Sequence, residues 1–206
     1  MYDQFNKLKT IKKRTIINAA IQEFVKNGFD HASTNEIVKK ANISKGSLFN
    51  YFKSKKDLYV YLVDHCVQVI EAFYNDIDLN ERDLFKRIEN IGYQKLSIQK
   101  KSPHVFDFLA SAVQEDSNEV KELIDEKVGP IYGRRFEHIY DNIDDSKFRE
   151  GLDIEKAVEI LTWTMLGFGD KGIKQIDTFE NIKDFGEQYF KEWQRYAEIL
   201  KKSFYK

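Results

Sequence analysis

The sequence TNEIVKKANISKGSLFNYFKSKKDL, from Thr34 to Leu58, contains two short helical patterns separated by a tight break. Ser33 and Glu36 have the spacing of a capping box, which favours a helix that starts beside Thr34. An Asn-Ile dipeptide then interrupts the pattern, and Ser44 is a good N-cap for a second short helix. The stretch therefore predicts a helix, a tight turn and a second helix, which is the spacing of a helix-turn-helix unit.

Apolar and polar residues are divided between two sides of this predicted unit. The side chains that can close a small core are Ile37, Ala41, Ile43, Leu48 and Phe52. The polar side chains that remain free to point outward are Lys45, Ser47, Asn50 and Tyr51. Outward polar groups on a short helix are what base edges and phosphates require. The pattern predicts that the second helix enters the major groove of DNA.

The charge is unevenly distributed along the 206 residues, although the whole chain carries a net charge of only -1. Residues 1–60 contain 12 basic and 5 acidic residues, a net charge of +7, which leaves -8 for residues 61–206. A basic segment attached to an acidic remainder is typical of a module that binds a polyanion. The alternative is an accidental imbalance between solvated surfaces.

The chain is rich in Lys, Glu, Ile and Leu, with only two prolines, and its composition favours an all-helical protein. The periodicity predicts a first helix from Lys9 to Asn27 that Gly28 ends, and a long helix after Ser54. Ser102-Pro103, Ser117 and Asp153 are predicted to start later helices, and Gly129-Pro130 to break one. The ranges predicted for the later helices are 80–99, 103–115, 118–142, 154–176 and 181–204.

A series of motifs follows in fixed order between Ile17 and Leu62. The series comprises Gly28-Phe29, Ser33-Thr34, Ile37-Val38, Asn42-Ile43-Ser44, the run GSLFNYF from Gly46 to Phe52, and Lys55. In order and spacing, this segment resembles the DNA-binding domain of the TetR family of transcriptional regulators. The resemblance implies a homodimeric, ligand-responsive regulator, expected to be a repressor that binds a palindromic operator.

The resemblance also implies roles for individual residues of the segment. Thr34, Tyr51 and Lys55 are expected to contact phosphates, and Lys45, Ser47 and Asn50 to face the groove. Gly46 permits close approach of the backbone to DNA. Phe49 stands where the family usually has Tyr, so the phenolic hydroxyl that often reaches a phosphate is missing; core packing is an equal alternative for its ring.

The chain is therefore expected to form a helix-turn-helix domain over residues 1–53 and a larger helical domain for effector binding and dimerisation over residues 54–206. The segment from Ile154 to Phe168 is apolar on two sides, and a second apolar stripe runs from Ile182 to Leu200. These stripes could pair with their copies as a four-helix bundle, or form core within one chain. The residues expected at the dimer contact are Ile160, Trp163, Gly167, Phe185, Tyr189 and Trp193.

The later helices are also rich in aromatic residues. Aromatic cavities suit apolar or planar ligands, although each ring can equally be part of an ordinary core. The residues predicted to bind an effector are Phe73, Tyr93, Phe106, Phe108, Tyr132, Phe136 and Trp163.

No enzymatic or metal-binding constellation appears in the sequence. The four histidines lack metal-ligand spacing, the single cysteine, Cys66, has no CxxC partner, and no cofactor motif is present. No stretch approaches the length of a membrane span, and no secretory signal is evident, so a cytoplasmic protein is expected. Two alternatives remain: an interaction protein that associates with DNA and responds to a protein partner and, less well supported, a helical enzyme.

Overall fold

The computed structural model describes the backbone of residues 2–133, 138–175 and 182–206, and the side chains of residues 2–131, 138–171 and 186–206. Within these residues the chain is all-α, as predicted, and its only strand-like feature is an isolated bridge between Phe148 and Tyr205. The helices are α1 (Asp3–Asn6), α2 (Thr10–His31), α3 (Thr34–Lys40), α4 (Lys45–Tyr51), α5 (Lys55–Asn75), α6 (Leu84–Lys101), α7 (Val105–Val113), α8 (Lys121–Lys127), α9 (Gly129–Gly133), α10 (Ile154–Gln175) and α11 (Ile182–Phe204), with a 3-10 turn at Asp145–Lys147.

The chain forms two compact units, each assembled from two segments. Unit 1 contains Met1–Tyr74 and Ser102–Arg135, and unit 2 contains Asn75–Lys101 and Phe136–Lys206. Unit 1 therefore includes helices from well beyond residue 53. A functional boundary between residues 53 and 54 stays a prediction.

The predicted helix ends of the first 60 residues are confirmed. Gly28 has a φ of 66° and interrupts α2 with a left-handed residue, a conformation that glycine adopts without strain. The Ser33 side chain accepts a hydrogen bond from Glu36 N, and that of Ser44 accepts one from Ser47 N. Each serine thus caps one helix of the helix-turn-helix unit.

The later helix starts differ from the prediction. Ser102-Pro103 does not begin α7, because His104 adopts a left-handed φ of 69° and the helix starts at Val105. Ser117 does not cap α8, because its hydroxyl donates to Asp30 Oδ1 at 2.7 Å and the helix starts only at Lys121. At Ser117 a side-chain partner from a distant part of the chain overrides the local signal.

Other predictions for the later helices are confirmed. Lys156 N donates to Asp153 Oδ1 at 3.1 Å, so Asp153 caps α10. The predicted helix 118–142 is broken at Gly129-Pro130, where α8 ends and α9 begins. Residues 134–137 of that prediction lie outside the described residues, and residues 138–142 form turns, so the helix predicted there is wrong.

In unit 1, helices α2, α3, α4, α5, α7 and α8 share one continuous apolar core. Phe24 and Phe29 pack edge-on against Tyr59, and Tyr59 contacts Phe108 with ring centroids 5.3 Å apart. Cys66 is completely buried in this core, and burial raises the pKa of its thiol. The cysteine is therefore a neutral core residue, as expected for a small buried hydrophobe.

A buried carboxylate fixes the junction between α2 and α3. Glu23 is only 4% exposed, and its Oε1 accepts hydrogen bonds from Asn27 Nδ2 at 2.7 Å and from Ser33 N at 3.1 Å. Lys40 Nζ lies 3.8 Å from the other carboxylate oxygen. Because a buried charge must be paired or hydrogen-bonded, Glu23 stabilises one relative position of these two helices.

In unit 2 a buried arginine joins a loop to the start of α6. Arg87 is 1% exposed and donates to the backbone oxygens of Leu79, Glu81, Ile139 and Asp141 at distances between 2.6 and 3.0 Å. The guanidinium presents several donors in a rigid plane, so one side chain satisfies four carbonyls.

Replacement of Arg87 by Met should lower the free energy of unfolding by about 3 kcal/mol, because buried carbonyls would lose charged donors. Chemical denaturation monitored by circular dichroism measures this difference. Arg82→Met is the matched control, since Arg82 is exposed and, among the described residues, its side chain donates to the single carbonyl Asn142 O at 3.3 Å. The control should cost no more than about 1 kcal/mol; equal losses for both variants would contradict the proposed role of Arg87.

Candidate nucleic-acid interface

The exposed side of α4 contains four of the residues predicted to bind DNA. Lys45, Gly46, Phe49 and Asn50 are all exposed, whereas Leu48 is 1% exposed and holds the helix to the core. At about 100° per residue these four positions occupy an arc of roughly 140°. Phe49, at 38% exposure, belongs to this surface more than to the core.

Gly46 has no steric reason to be glycine within its own chain. A Cβ atom added there would meet only Ser44 Oγ, at 3.9 Å, which is an ordinary contact. Its backbone is helical, so alanine would also be acceptable and would favour the helix. The absence of a side chain leaves open space on the exposed side of α4, where the predicted approach of DNA requires it.

The remaining predicted contacts are less exposed and already have neighbours. The Ser47 hydroxyl lies 2.9 Å from that of Ser44. Thr34 and Tyr51 are partly buried, and the ring of Tyr51 lies 5.7 Å from that of Phe5. The contacts of these side chains with DNA stay predictions.

Lys55 is bound to the end of α2. Its ammonium donates to Asp30 O at 2.9 Å and to Ala32 O at 3.5 Å, and lies 4.8 Å from the centroid of the Phe29 ring. These two carbonyl oxygens belong to the last turn and the C-cap of α2, where a cation is favourable. A phosphate contact by Lys55 stays a prediction.

Further lysines surround the helix-turn-helix unit. Those with exposed side chains are Lys39, Lys40, Lys45, Lys53 and Lys56. Lys39 and Lys40 lie in the last turn of α3, and Lys53 and Lys56 beside the turn between α4 and α5. A basic surface around an exposed helix is the electrostatic footprint of a nucleic-acid interface.

Sequence reasoning missed one part of this region. Tyr2 and Phe5, which precede the recognised motifs, pack against Phe52 with ring centroids 5.6 and 4.8 Å away. Phe5 is completely buried. Aromatic residues at two of the first five positions were the available signal, but nothing local indicated their partners.

The residues predicted to bind an effector are divided between the two units. In unit 1, Phe73 contacts Phe106 edge-on at 5.9 Å, and Phe108 is a core residue with 1% exposure. In unit 2, Tyr93 and Trp163 are 53% and 63% exposed. Tyr132 and Phe136 fall outside the residues whose side chains are described. Among the predicted residues whose side chains are described, Phe73 and Phe106 contact each other.

The residues predicted at the dimer contact differ in exposure within one chain. Ile160, Trp163 and Gly167 are exposed on one side of α10. Tyr189 stacks on Phe168 at 4.1 Å, and Trp193 is 8% exposed against the same ring. The side chain of Phe185 lies outside the described residues. Sequence reasoning did not name two exposed apolar residues of α11, Tyr196 and Ile199, which are 38% and 65% exposed.

The described residues contain neither a metal-ion cluster nor a membrane-spanning helix. None of their clusters of His, Cys, Asp and Glu is suited to holding a metal ion. None of their helices combines the length and apolar character of a membrane span.

Known proteins resemble both the helix-turn-helix segment and the longer chain. Residues 16–62 match the family model described as bacterial regulatory proteins, tetR family. The fatty acid metabolism regulator protein of Bacillus subtilis (strain 168) is 25% identical over 161 residues, which are 77% of this chain and 82% of that protein. The transcriptional regulator QacR of Staphylococcus aureus is 38% identical over 52 residues, which are 25% of this chain and 28% of QacR.

Solved structures share the fold over nearly the whole chain. A TetR family transcriptional regulator from Chloroflexus aurantiacus J-10-FL has a TM-score of 0.65 at 21% identity, covering 99% of this chain and 98% of its own. The ketosteroid transcriptional regulator KstR2 of Mycobacterium tuberculosis has a TM-score of 0.60 at 15% identity, covering 97% of both chains. The motif match and the shared fold agree: residues 16–62 match the DNA-binding segment of the TetR family of transcriptional regulators, and the chain has the fold of solved members of that family.

Proposed function

We propose that this regulator is a repressor, which binds a palindromic operator as a homodimer and releases it when a small apolar effector binds. The observation that carries the DNA-binding step is α4, a helix held by a buried Leu48 whose opposite side exposes Lys45, Gly46 and Asn50. Lysine and asparagine are side chains that read guanine and adenine edges in the major groove. One subunit would read each half-site.

Support for a homodimer comes from the exposed apolar side of α10. Ile160 and Trp163 are one helical turn apart and leave large apolar surfaces in water within a single chain. Gly167 continues the same side without a side chain, which permits close packing of a second helix. Two copies could pair through this surface, and binding to successive turns of DNA would require their recognition helices to lie about 34–36 Å apart.

Support for an apolar effector comes from aromatic residues and from one relative. Phe73 and Phe106 contact each other in unit 1, and Phe106 is only partly buried. The relative from Bacillus subtilis is named a fatty acid metabolism regulator, so acyl compounds are the first ligands to test. An effector that binds the DNA-incompetent conformation more tightly would shift the population away from the operator.

The operator can be found by selecting bound sequences from random duplex DNA with the full chain. A palindromic consensus is the expected result, because each subunit of a dimer reads one half-site. Asn50→Ala should relax the preference at one position of each half-site, by roughly tenfold. Failure to enrich any sequence would overturn the operator proposal and would favour the alternative of a DNA-associated interaction protein.

Gly46→Ala should reduce operator affinity by roughly tenfold or more, because the added methyl group occupies the open space on α4. The stability of the free protein should be unchanged or raised by about 0.5–1 kcal/mol, since alanine favours a helix over glycine. Fluorescence anisotropy and thermal unfolding measure the two quantities. Gly169→Ala is the matched control, because Gly169 is also a helical glycine and a Cβ there meets nothing within 4 Å. Equal operator affinity of both variants would exclude Gly46 from the interface.

Trp163→Glu should convert the dimer to a monomer and abolish cooperative occupation of the two half-sites, because the interface would contain two buried unpaired carboxylates. Sedimentation velocity at micromolar concentration measures the oligomeric state. Ile11→Glu is the control, since Ile11 on α2 is 80% exposed and lies outside the proposed dimer surface. A wild-type monomer, or a Trp163→Glu dimer, would refute this interface.

An effector should raise the midpoint of thermal unfolding and lower operator affinity in the same preparation. The first panel consists of long-chain fatty acids, their coenzyme A thioesters and planar aromatic compounds. Phe106→Ala should weaken the response to an active compound without changing operator affinity in its absence. If neither the panel nor a small-molecule extract of cells changes operator binding, the small-molecule part of the proposal fails.

A further inference from the structure

Residues 2–8, called the N-terminal arm below, pack against the helix that is proposed to read DNA. The arm contains the four-residue helix α1 and lies outside the segment that matches the family model. A helix this short is not stable on its own, so its position depends on tertiary contacts. Phe5 supplies these contacts, because it is completely buried and lies 4.8 Å from Phe52 and 5.1 Å from Tyr61.

A polar contact joins the same arm to the turn between α4 and α5. The Tyr2 hydroxyl donates to Asp57 Oδ1 at 3.0 Å, while Lys53 N donates to Asp57 Oδ2 at 2.9 Å. Asp57 N in turn donates to Ser54 Oγ at 3.0 Å. One carboxylate therefore connects the arm, the residue after α4 and the first turn of α5. Partial burial and the neighbouring carboxylate raise the pKa of Tyr2, so its hydroxyl remains a donor at neutral pH.

The arm also contacts a residue predicted to reach DNA. The rings of Phe5 and Tyr51 have centroids 5.7 Å apart and an interplanar angle of 59°. Tyr51 is partly exposed and ends α4. The arm therefore supports the C-terminal end of the recognition helix, where the Tyr51 ring is only partly buried.

A second contact joins the arm to the start of α2. Lys13 Nζ donates to Asn6 O at 3.3 Å. The arm is thus held at one side to α2 and at the other to α4 and α5. Since α4 has only seven residues, its orientation depends on the elements packed around it.

We propose that the N-terminal arm is a positioning element for DNA reading: Phe5 and Tyr2 set the orientation of α4 through Tyr51, Phe52 and Asp57. This inference rests on the proposed DNA-reading role of α4. Without the arm, Ile37 and Leu48 would still supply apolar side chains to the core of the helix-turn-helix unit. The exposed residues of α4 would then sample several orientations against the bases. Sequence discrimination should suffer more than general attraction to DNA, which depends on charge.

The test uses the full chain and compares the selected operator with a scrambled duplex. Phe5→Ala should reduce the ratio of operator affinity to scrambled-DNA affinity by about tenfold. The affinity for scrambled DNA and its salt dependence should be unchanged, since no lysine is lost. Gln4→Ala is the matched control, because Gln4 is an exposed residue of the same short helix. Its affinity ratio should equal that of the original protein.

The measurements are made below the unfolding temperature of each variant, so that lost stability is separated from lost positioning. A folded Phe5→Ala variant with an unchanged ratio would overturn the proposal and leave the arm a purely stabilising role. Where Phe5→Ala does not fold, Tyr2→Phe keeps the ring and removes only the donor to Asp57. Tyr2→Phe should then lower the ratio by about threefold; an unchanged ratio would again overturn the proposal. If the unaltered chain binds both duplexes equally, the proposed operator binding is wrong. That result is distinct from an unchanged ratio in the variants, which would contradict the role of the arm.

Discussion

The turn at Gly28 determines where the helix-turn-helix unit can form. Its φ of 66° ends the regular part of α2, and Phe29 N then donates to Glu115 Oε2 at 2.6 Å. A side chain at residue 28 would be strained and would also bring its Cβ within 3.2 Å of the same carboxylate oxygen. A few residues later Ser33 N donates to the buried Glu23. The direction in which α3 leaves α2 is thus defined by two carboxylates and one glycine.

The helix-turn-helix unit could be predicted because its signals are local. Ser33 and Ser44 each bond to an N–H three residues further along, so their roles depend on neighbours in the sequence. Ser117 shows the limit of such reasoning. Serine is a common helix cap, but the Ser117 hydroxyl donates a hydrogen bond to Asp30, which lies 87 residues away in the sequence. Nothing in the sequence around Ser117 indicates that partner.

The aromatic residues were harder to interpret, because type and spacing do not distinguish a core from an exposed surface. Phe108 and Trp193 were predicted at functional surfaces and are 1% and 8% exposed within one chain. Tyr196 and Ile199, which no motif marked, are exposed on α11. The exposure of a side chain depends on which helix faces pack together. Helical periodicity identifies the apolar face of each helix but not the helix that covers it. The exposure of these aromatic residues was therefore less predictable than the helix caps of the helix-turn-helix unit.

The two groups of residues around α4 should respond differently to sequence change. Lys45, Gly46, Phe49 and Asn50 are exposed, so substitutions there cost the isolated chain little. Leu48, Phe52 and Glu23 are buried, and substitutions there remove the support of the helix.

Lys55 belongs to the second, supporting group by its bonds to the end of α2, although the family resemblance predicts a phosphate contact. Its ammonium has three donors, so it can hold Asp30 O and still present a proton to a phosphate. A residue with both roles would couple the end of α2 to the DNA backbone, so a change at Lys55 would alter stability and affinity together.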